Sequence, residues 1–303
     1  MHLHSVRYIA PPIKSEALPH IQVGDDLVKV QSTVVTGDAR TILRDIPNNF
    51  VRTVITSPPY WSLRDYAIPG QIGAENNVDD YIDQLVQVFD QVYRVLADDG
   101  TLWLNIGDSY TSGNRTWRAP DKKNPVRAMT YRPPTPDGLK AKELVGIPWR
   151  LAFALQAAGW YLRSDIIWRK PNGMPESVKD RPTHSHEYLF LLTKSEQYFY
   201  DNNAVREASN SNLRSVWDIN TFPFAEAHFA TFPPKLVERC LLLSSKPTDI
   251  VCDPFLGSGT VGLVAIQHGR ALLGIELNPV YVEITKRRLE ENSDLDCRIE
   301  NVG

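Results

Sequence analysis

The sequence predicts an α/β protein built on a mostly parallel sheet with an antiparallel strand pair at one edge. Three observations predict it. A β-branched run at 51–57, an amphipathic helix at 79–97 and a strand at 101–106 follow one another at βαβ spacing. A second strand–helix–strand unit, 249–253, Val261 to about His268 and 271–276, is joined at its first turn by a glycine-containing loop. Two strand-like runs, Tyr161–Trp168 and Glu187–Thr193, flank Lys170-Pro171-Asn172-Gly173-Met174-Pro175 and read as the antiparallel pair.

Taken in order, residues 1–31 contain Pro11-Pro12 and no hydrophobic period, and read as an arm ahead of one domain spanning 32–303. Ser32–Thr36 is a short strand ending at Gly37-Asp38, and the run at 51–57 is the next. In the helix at 79–97, Ile82, Leu85, Val86, Phe89, Val92, Tyr93 and Leu96 keep a 3.6-residue period, with Asp79 or Asp80 as the cap. Asp98-Asp99-Gly100 ends it before the strand Thr101–Ile106. Residues 107–142 break the rhythm, with many turn formers and no period. Regular structure resumes with a helix from Pro148 to about Ala158; residues 202–215 are polar and loop-like, and a helix begins near Pro233-Pro234.

The formal net charge of −3 does not announce a polyanionic partner, but the distribution is uneven. Between 110 and 142, eight Lys and Arg residues face only Asp121 and Asp137, so +6 lies in this insertion and −9 in the remainder. With 42% hydrophobic and 23% charged residues the composition is that of a globular protein. Three scattered cysteines, Cys240, Cys252 and Cys297, form neither a disulfide framework nor a zinc pattern. No apolar run approaches the roughly 18 residues of a membrane span, and Met1-His2-Leu3-His4-Ser5 lacks a signal-peptide core, so a cytoplasmic location without membrane contact is expected.

Two stretches carry chemistry. In Thr56-Ser57-Pro58-Pro59-Tyr60-Trp61 a core strand runs directly into two prolines. They fix two φ angles and remove two donors, which leaves carbonyl acceptors beside an aromatic face. In Asp253-Pro254-Phe255-Leu256-Gly257-Ser258-Gly259-Thr260 a strand turns through glycines into a helix, and Glu276 stands at the tip of the next strand, 17 residues past Gly259. Glycines permit close backbone approach to a ligand, and an acid at that tip is placed to accept from ribose hydroxyls. The third glycine of the dinucleotide fingerprint is missing, which disfavours NAD and favours a smaller adenosyl ligand.

Together, Ser57-Pro58-Pro59-Tyr60 and the glycine loop resemble the catalytic and cofactor motifs of S-adenosylmethionine-dependent DNA amino-methyltransferases. The motif order resembles their β group, familiar from type II restriction–modification systems. The resemblance spans most of residues 32–291 and includes Gly37-Asp38, the Tyr60–Tyr66 continuation, Asp165–Asn172 and His228–Pro233. It implies the Rossmann-like class I methyltransferase fold, a seven-stranded sheet in circularly permuted order. The strands at 249–253 and 271–276 hold the cofactor, the strand at 32–36 lies beside them, and the strand at 51–57 is in the middle.

The resemblance implies S-adenosyl-L-methionine as cofactor and double-stranded DNA as substrate. A cognate restriction endonuclease acting separately is the further partner it suggests; monomer and homodimer both stay open, and no metal is implied. Ser57 Oγ and the Pro58 carbonyl are expected to accept the hydrogens of an exocyclic amino group. Pro59 helps to fix the turn, and Tyr60 stacks on a flipped base. Phe255, Gly257, Gly259 and Thr260, following Asp253, are expected at the methionine and ribose side, with Glu276 on the ribose hydroxyls. Asp38 either accepts from the adenine amino group or only forms a turn. Asn278 reads first as a helix cap and second as a ligand contact. Phe229, Thr231 and Phe232 wall the methionine end or pack the core. Arg115, Trp117, Arg118, Lys122, Lys123, Arg127 and Arg132 in the basic insertion are expected to contact DNA.

Ser57 in first position favours cytosine N4 over adenine N6. Cytosine C5 chemistry is disfavoured because none of the cysteines follows a proline, and deamination because His184-Ser185-His186-Glu187 has the wrong spacing and no Cys pair exists. Methyl transfer to a protein side-chain amide leaves the basic insertion unexplained. A module that binds DNA or cofactor without catalysis is the alternative from another class.

Overall fold

Apolar residues alternate along the strands so that neighbours face opposite sides of one sheet. Val35, Val54, Leu102, Leu104, Cys252 and Leu273 pack into one core, and Val34, Ile55, Trp103, Val251 and Leu272 into a second. That is the pattern of a sheet covered by helices on both faces. The computed structural model describes residues 13, 15–23, 28–64, 66, 68–111, 133–173, 175–206, 211–223, 230–292 and 297–301.

In chain order the elements are β1 (His20–Val23), β2 (Val28–Thr36), α1 (Ala39–Ile42), β3 (Val51–Thr56), α2 (Val78–Val95), β4 (Leu96–Ile106) and α3 (Ile147–Ala157). They continue with β5 (Tyr161–Arg169), β6 (His186–Thr193), β7 (Val216–Asp218), β8 (Phe222–Pro223), β9 (Ala230–Thr231) and α4 (Pro234–Ser244). The chain closes with β10 (Ile250–Asp253), α5 (Thr260–Gln267), β11 (Ala271–Glu276), α6 (Pro279–Asn292) and β12 (Cys297–Asn301). Among the described residues the main sheet has ten strands in the order β1-β2-β11-β10-β3-β4-β6-β5-β7, with β12 also on β2; β8 and β9 form a separate ribbon. Strands β2, β11, β10, β3 and β4 run parallel, whereas β6 is antiparallel to both β4 and β5. Residues from α1, α2 and α3 fill the first core, and residues from α4, α5 and α6 the second.

The winding direction reverses between β10 and β3. From β10 the chain passes through α5 to β11 on one side, and from β3 through α2 to β4 on the other. In open α/β sheets such a reversal leaves a crevice at the carboxyl ends of the two strands, where ligands bind. Both stretches singled out in the sequence, the proline turn and the glycine loop, start at these two ends.

Several sequence expectations need correction. The expected seven-stranded sheet carries three further strands at its edges, β1, β12 and β7. Within residues 1–31, expected as an irregular arm, the described part forms a 3₁₀ turn at Ser15–Ala17, β1 and the first part of β2. The antiparallel pair is not at the edge, because β7 adds to β5 in parallel and buries Trp217 beside Trp103, with ring centroids 6.2 Å apart. Helix α2 is capped by Asn77, whose side chain accepts from the Asp80 N–H at 2.7 Å, rather than by Asp79 or Asp80. Asp98-Asp99-Gly100 does not separate helix from strand but bulges inside β4, since Val51 pairs with Leu96 and Thr53 with Thr101. The Arg52–Asp99 ion pair and the Phe199 N–H on the Asp99 carbonyl hold this bulge. A Cβ at Gly100 would lie 2.8 Å from the Arg52 carbonyl, so the bulge requires glycine.

Among the described residues, no helix is long and apolar enough to cross a membrane. Replacing Asn77 with Ala removes the α2 cap, and urea denaturation is expected to show a loss of about 1 kcal/mol.

Candidate active site

The parallel strands deliver their carboxyl ends to one edge of the sheet. Thr36 and Glu276 are register partners there, and Asp253 and Thr56 end the two strands that flank the crevice. The Thr56 hydroxyl donates to Asp253 Oδ1 at 2.7 Å, and the same oxygen accepts from the Phe255 N–H at 3.0 Å. This buried bond fastens the proline turn to the glycine loop across 197 residues of sequence.

In the turn, Pro58 is buried and Ser57, Pro59 and Tyr60 are half-buried. The Pro59 carbonyl accepts from the buried Tyr81 hydroxyl at 2.8 Å. Among the described residues nothing donates to the Pro58 carbonyl, which is left as the acceptor of the turn. Trp61 is buried and donates from its indole to the Glu75 carbonyl at 3.0 Å. The Tyr60 hydroxyl donates to Glu187 Oε2 at 2.7 Å. Burial first, and then the Glu187 carboxylate, push the Tyr60 phenol well above its ordinary range, so it stays protonated. A Cβ at Gly107 would come 2.5 Å from Tyr60 Cε2, so a glycine at the end of β4 makes room for the ring.

The glycine loop is shaped by two different requirements. Gly257 has φ of +56° and Gly259 of +79°, both in the left-handed region. A side chain at Gly259 would strike Thr285 of α6 at 2.7 Å, whereas a Cβ at Gly257 meets nothing closer than the Phe255 carbonyl, at 3.9 Å. The loop therefore packs on one side and leaves an open cradle on the other. Glu276 holds that cradle: Oε2 accepts from the Gly257 N–H at 2.7 Å and Oε1 from the Asn278 N–H at 2.8 Å. Burial raises the Glu276 carboxyl and pushes that of Asp253 from 3.8 up to about 7. The open glycine cradle thus lies beside two carboxyl groups whose affinity for a proton is raised by burial.

The other sequence candidates fall into different places. Thr260 is buried, and its hydroxyl accepts from Arg288 at 3.0 Å, so it faces the protein. Phe255 is half-buried on the first core and Phe232 on the second. Asp38 caps α1 through the Arg40 N–H at 2.8 Å and pairs with the Arg40 guanidinium. Asn278 caps α6 by accepting from the Val280 N–H at 3.0 Å. Thr231 lies in β9 opposite Phe222. Phe229 and the insertion residues Arg115, Trp117, Arg118, Lys122, Lys123, Arg127 and Arg132 lie outside the described residues. Of the insertion, the stem is described: the Thr111 N–H donates to the Glu143 carbonyl and the Val145 N–H to the Ser109 carbonyl, both at 2.9 Å. The stem therefore leaves the end of β4 next to Gly107 and Tyr60.

Sequence reading missed Glu187, Lys170, Asn105, Tyr81 and Gly107, all of which support the turn. The only signal for Glu187 is a single acid at the entry of an otherwise apolar strand, where its spacing from His184 and His186 bears only on deamination.

A doubly wound sheet with an acceptor-bearing turn and a glycine cradle on either side of its crevice defines a class: α/β enzymes that bring a bound nucleoside-type cofactor to a second reactant. Within that class, residues 51–287 match the DNA methylase family of N6 and N4 enzymes, and the chain belongs to it. It is 62% identical over 263 residues to the type II methyltransferase M.Cfr9I of Citrobacter freundii, covering 86% of this chain and 88% of that protein. It is 59% identical over 291 residues to the type II methyltransferase M.XycI of Xanthomonas campestris pv. cyanopsidis, covering 94% and 96%. Among solved structures it resembles TTHA0409 of Thermus thermophilus in complex with S-adenosyl-L-methionine, with TM-score 0.63, 26% identity and coverage of 89% and 99%. It shares the fold of the PvuII DNA methyltransferase, with TM-score 0.64, 22% identity and coverage of 88% and 96%.

The raised Asp253 carboxyl has a pH signature. The folded protein holds this proton up to about pH 7, whereas the unfolded chain releases it near 3.8, so stability falls as pH rises between these values. Glu276 adds in the same direction. Thermal melts of Asp253→Asn between pH 4 and 8 are expected to show a flatter decline than the parent protein.

Proposed function

We propose that this protein is a type II DNA methyltransferase that transfers a methyl group from S-adenosyl-L-methionine to the exocyclic N4 of a cytosine flipped out of double-stranded DNA. The observation that carries this reading is the Thr56–Asp253 bond, which holds Ser57-Pro58-Pro59-Tyr60 beside the glycine cradle. A circularly permuted, Rossmann-like class I arrangement follows from the order of the two sites: the turn on β3 comes first in the chain and the cradle on β10 and β11 last.

The cofactor supplies a methyl group already activated on a sulfonium. Gly257 and Gly259 let the backbone approach it, Glu276 accepts from its ribose hydroxyls, and Asp253 fixes the loop through the Phe255 N–H and the Thr56 hydroxyl. The amino nitrogen of the base is a poor nucleophile because its lone pair is delocalised into the ring. Acceptors that hold its hydrogens favour a pyramidal nitrogen with the lone pair directed at the methyl carbon. Ser57 Oγ and the Pro58 carbonyl are these acceptors: Pro58 has no N–H of its own, and the carbonyl of Pro59 is engaged by Tyr81. The Tyr60 ring supports the face of the base. Positioning of this kind supplies much of the acceleration. A serine at position 57 supports cytosine over adenine N6. Arg115, Trp117, Arg118, Lys122, Lys123, Arg127 and Arg132 of the basic insertion contact the DNA. A separate restriction endonuclease is the partner this reading pairs with it.

Incubation with methyl-labelled cofactor and unmethylated plasmid DNA, followed by nucleoside chromatography, is expected to place the label in N4-methylcytosine. Label in N6-methyladenine would change the base, and unlabelled DNA would sink the reading. Ser57→Ala and Tyr60→Ala are expected to lower methyl transfer on the order of 100-fold with cofactor affinity intact; parallel loss of both would make the turn structural. Neutralising Arg115, Arg118, Lys122 and Lys123 is expected to reduce the salt slope of DNA binding by about 0.9 for each phosphate no longer neutralised. An unchanged slope would remove the insertion from the interface.

A further inference from the structure

One cluster of ionisable side chains enters the site without a role in the mechanism above. Because β6 is antiparallel to β4 and β5, the end of β5 and the start of β6 reach the same edge as the carboxyl ends of the parallel strands. The register of Trp168 with Glu187 and of Ile106 with Tyr188 sets Lys170 and Glu187 beside Asn105 and Tyr60. Lys170 Nζ pairs with Glu187 Oε1 and lies 4.4 Å from the centroid of the Trp168 ring. Glu187 Oε2 accepts from the Tyr60 hydroxyl at 2.7 Å and from the Asn105 amide at 3.2 Å. Asn105 is fixed in turn, since its amide also donates to the Tyr188 carbonyl at 3.0 Å.

The two charged side chains are only 18% and 16% exposed. Burying such a pair carries a desolvation cost that an apolar pair of similar volume avoids, so stability alone does not explain it. What an apolar pair cannot do is accept the phenol proton of Tyr60. The ring is then held at its edge by Gly107 and at its hydroxyl by Glu187, with Asn105 Oδ1 as a longer acceptor at 3.4 Å.

We propose that Glu187, charge-balanced by Lys170, is a positioning residue that fixes the Tyr60 ring for the incoming base, so that the antiparallel strand pair sets the geometry of methyl transfer together with the catalytic turn. This rests on reading Tyr60 as the support for the base. Displacing such a support by about 1 Å costs on the order of 100-fold in rate.

The test compares Tyr60→Phe, Glu187→Gln, the pair replacement Lys170→Met/Glu187→Leu and the triple variant on unmethylated plasmid DNA with labelled cofactor. Tyr60→Phe and the pair replacement are each expected to lower kcat by roughly 10–100-fold while KM for the cofactor stays within about twofold. The triple variant is expected to be no slower than either, because both changes break the same bond. Glu187→Gln keeps an acceptor for the phenol and is expected to stay within a few-fold of the parent rate. Multiplying losses in the triple variant, a Tyr60→Phe enzyme at parent rate, or a Glu187→Gln enzyme as slow as Tyr60→Phe would each overturn the proposal. Tyr60→Phe and Glu187→Gln barely change volume, so their comparison stands even where the pair replacement fails to fold. A Tyr60→Ala enzyme at parent rate would remove the support reading itself; a slow Tyr60→Ala with a fast pair replacement would remove only the anchor.

Discussion

The hydrogen bond from Thr56 to Asp253 is the constraint on which the rest of the site depends. It sits where the winding of the sheet reverses, between two strands whose far ends diverge into different helices. Thr56 immediately precedes Ser57-Pro58-Pro59-Tyr60, and Asp253 opens the loop four residues before Gly257. A single buried acceptor, Asp253 Oδ1, holds the Thr56 hydroxyl and the Phe255 N–H at once, so turn and loop are fixed to a common point. That economy has a cost. The carboxylate is buried without a cation among its hydrogen-bond partners, and its affinity for a proton rises accordingly.

The same pattern recurs around the cradle. Glu276 is satisfied by backbone N–H groups rather than by a basic side chain. Behind the loop, the buried Arg288 guanidinium donates to the Ser258 carbonyl at 2.9 Å and to the Thr260 hydroxyl at 3.0 Å. Acids are thus held by amides and a cation by oxygens, instead of neutralising one another. An internal ion pair at this place would take up the acids; the observed arrangement leaves them without a basic partner among their hydrogen bonds. On the opposite side of the crevice the logic is reversed, and Lys170 does neutralise Glu187. There the carboxylate serves another protein group, the Tyr60 hydroxyl, and needs no surplus charge.

Much of the architecture was legible in the chain. The β-branched run at 51–57, the 3.6-residue period of α2 and the strand–glycine–helix–acid unit at 249–276 are local signals, and the structure keeps each within a few residues. What escaped reading lies where a tertiary contact overrides a local signal. Asp98-Asp99-Gly100 reads as a helix stop, but the Arg52–Asp99 pair and the neighbouring β3 turn it into a bulge. Val216-Trp217-Asp218 is too short to stand out from a polar stretch, and becomes a strand because Trp217 finds a buried place on Trp103 and Asp218 an ion pair with Arg169.

The sequence by itself determined the chemical groups and their local presentation: two prolines that strip a turn of donors, glycines that accept positive φ, an acid at a strand tip, and the alternation that buries both faces of a sheet. These are properties of a few adjacent residues and follow from covalent geometry and periodicity. Only the tertiary structure decided which groups meet. Strand order placed β10 against β3 and so joined Thr56 to Asp253, and antiparallel pairing carried Glu187 and Lys170 to Tyr60. These contacts span up to 197 residues of chain. No local preference encodes them, because they are selected by the packing of the whole sheet.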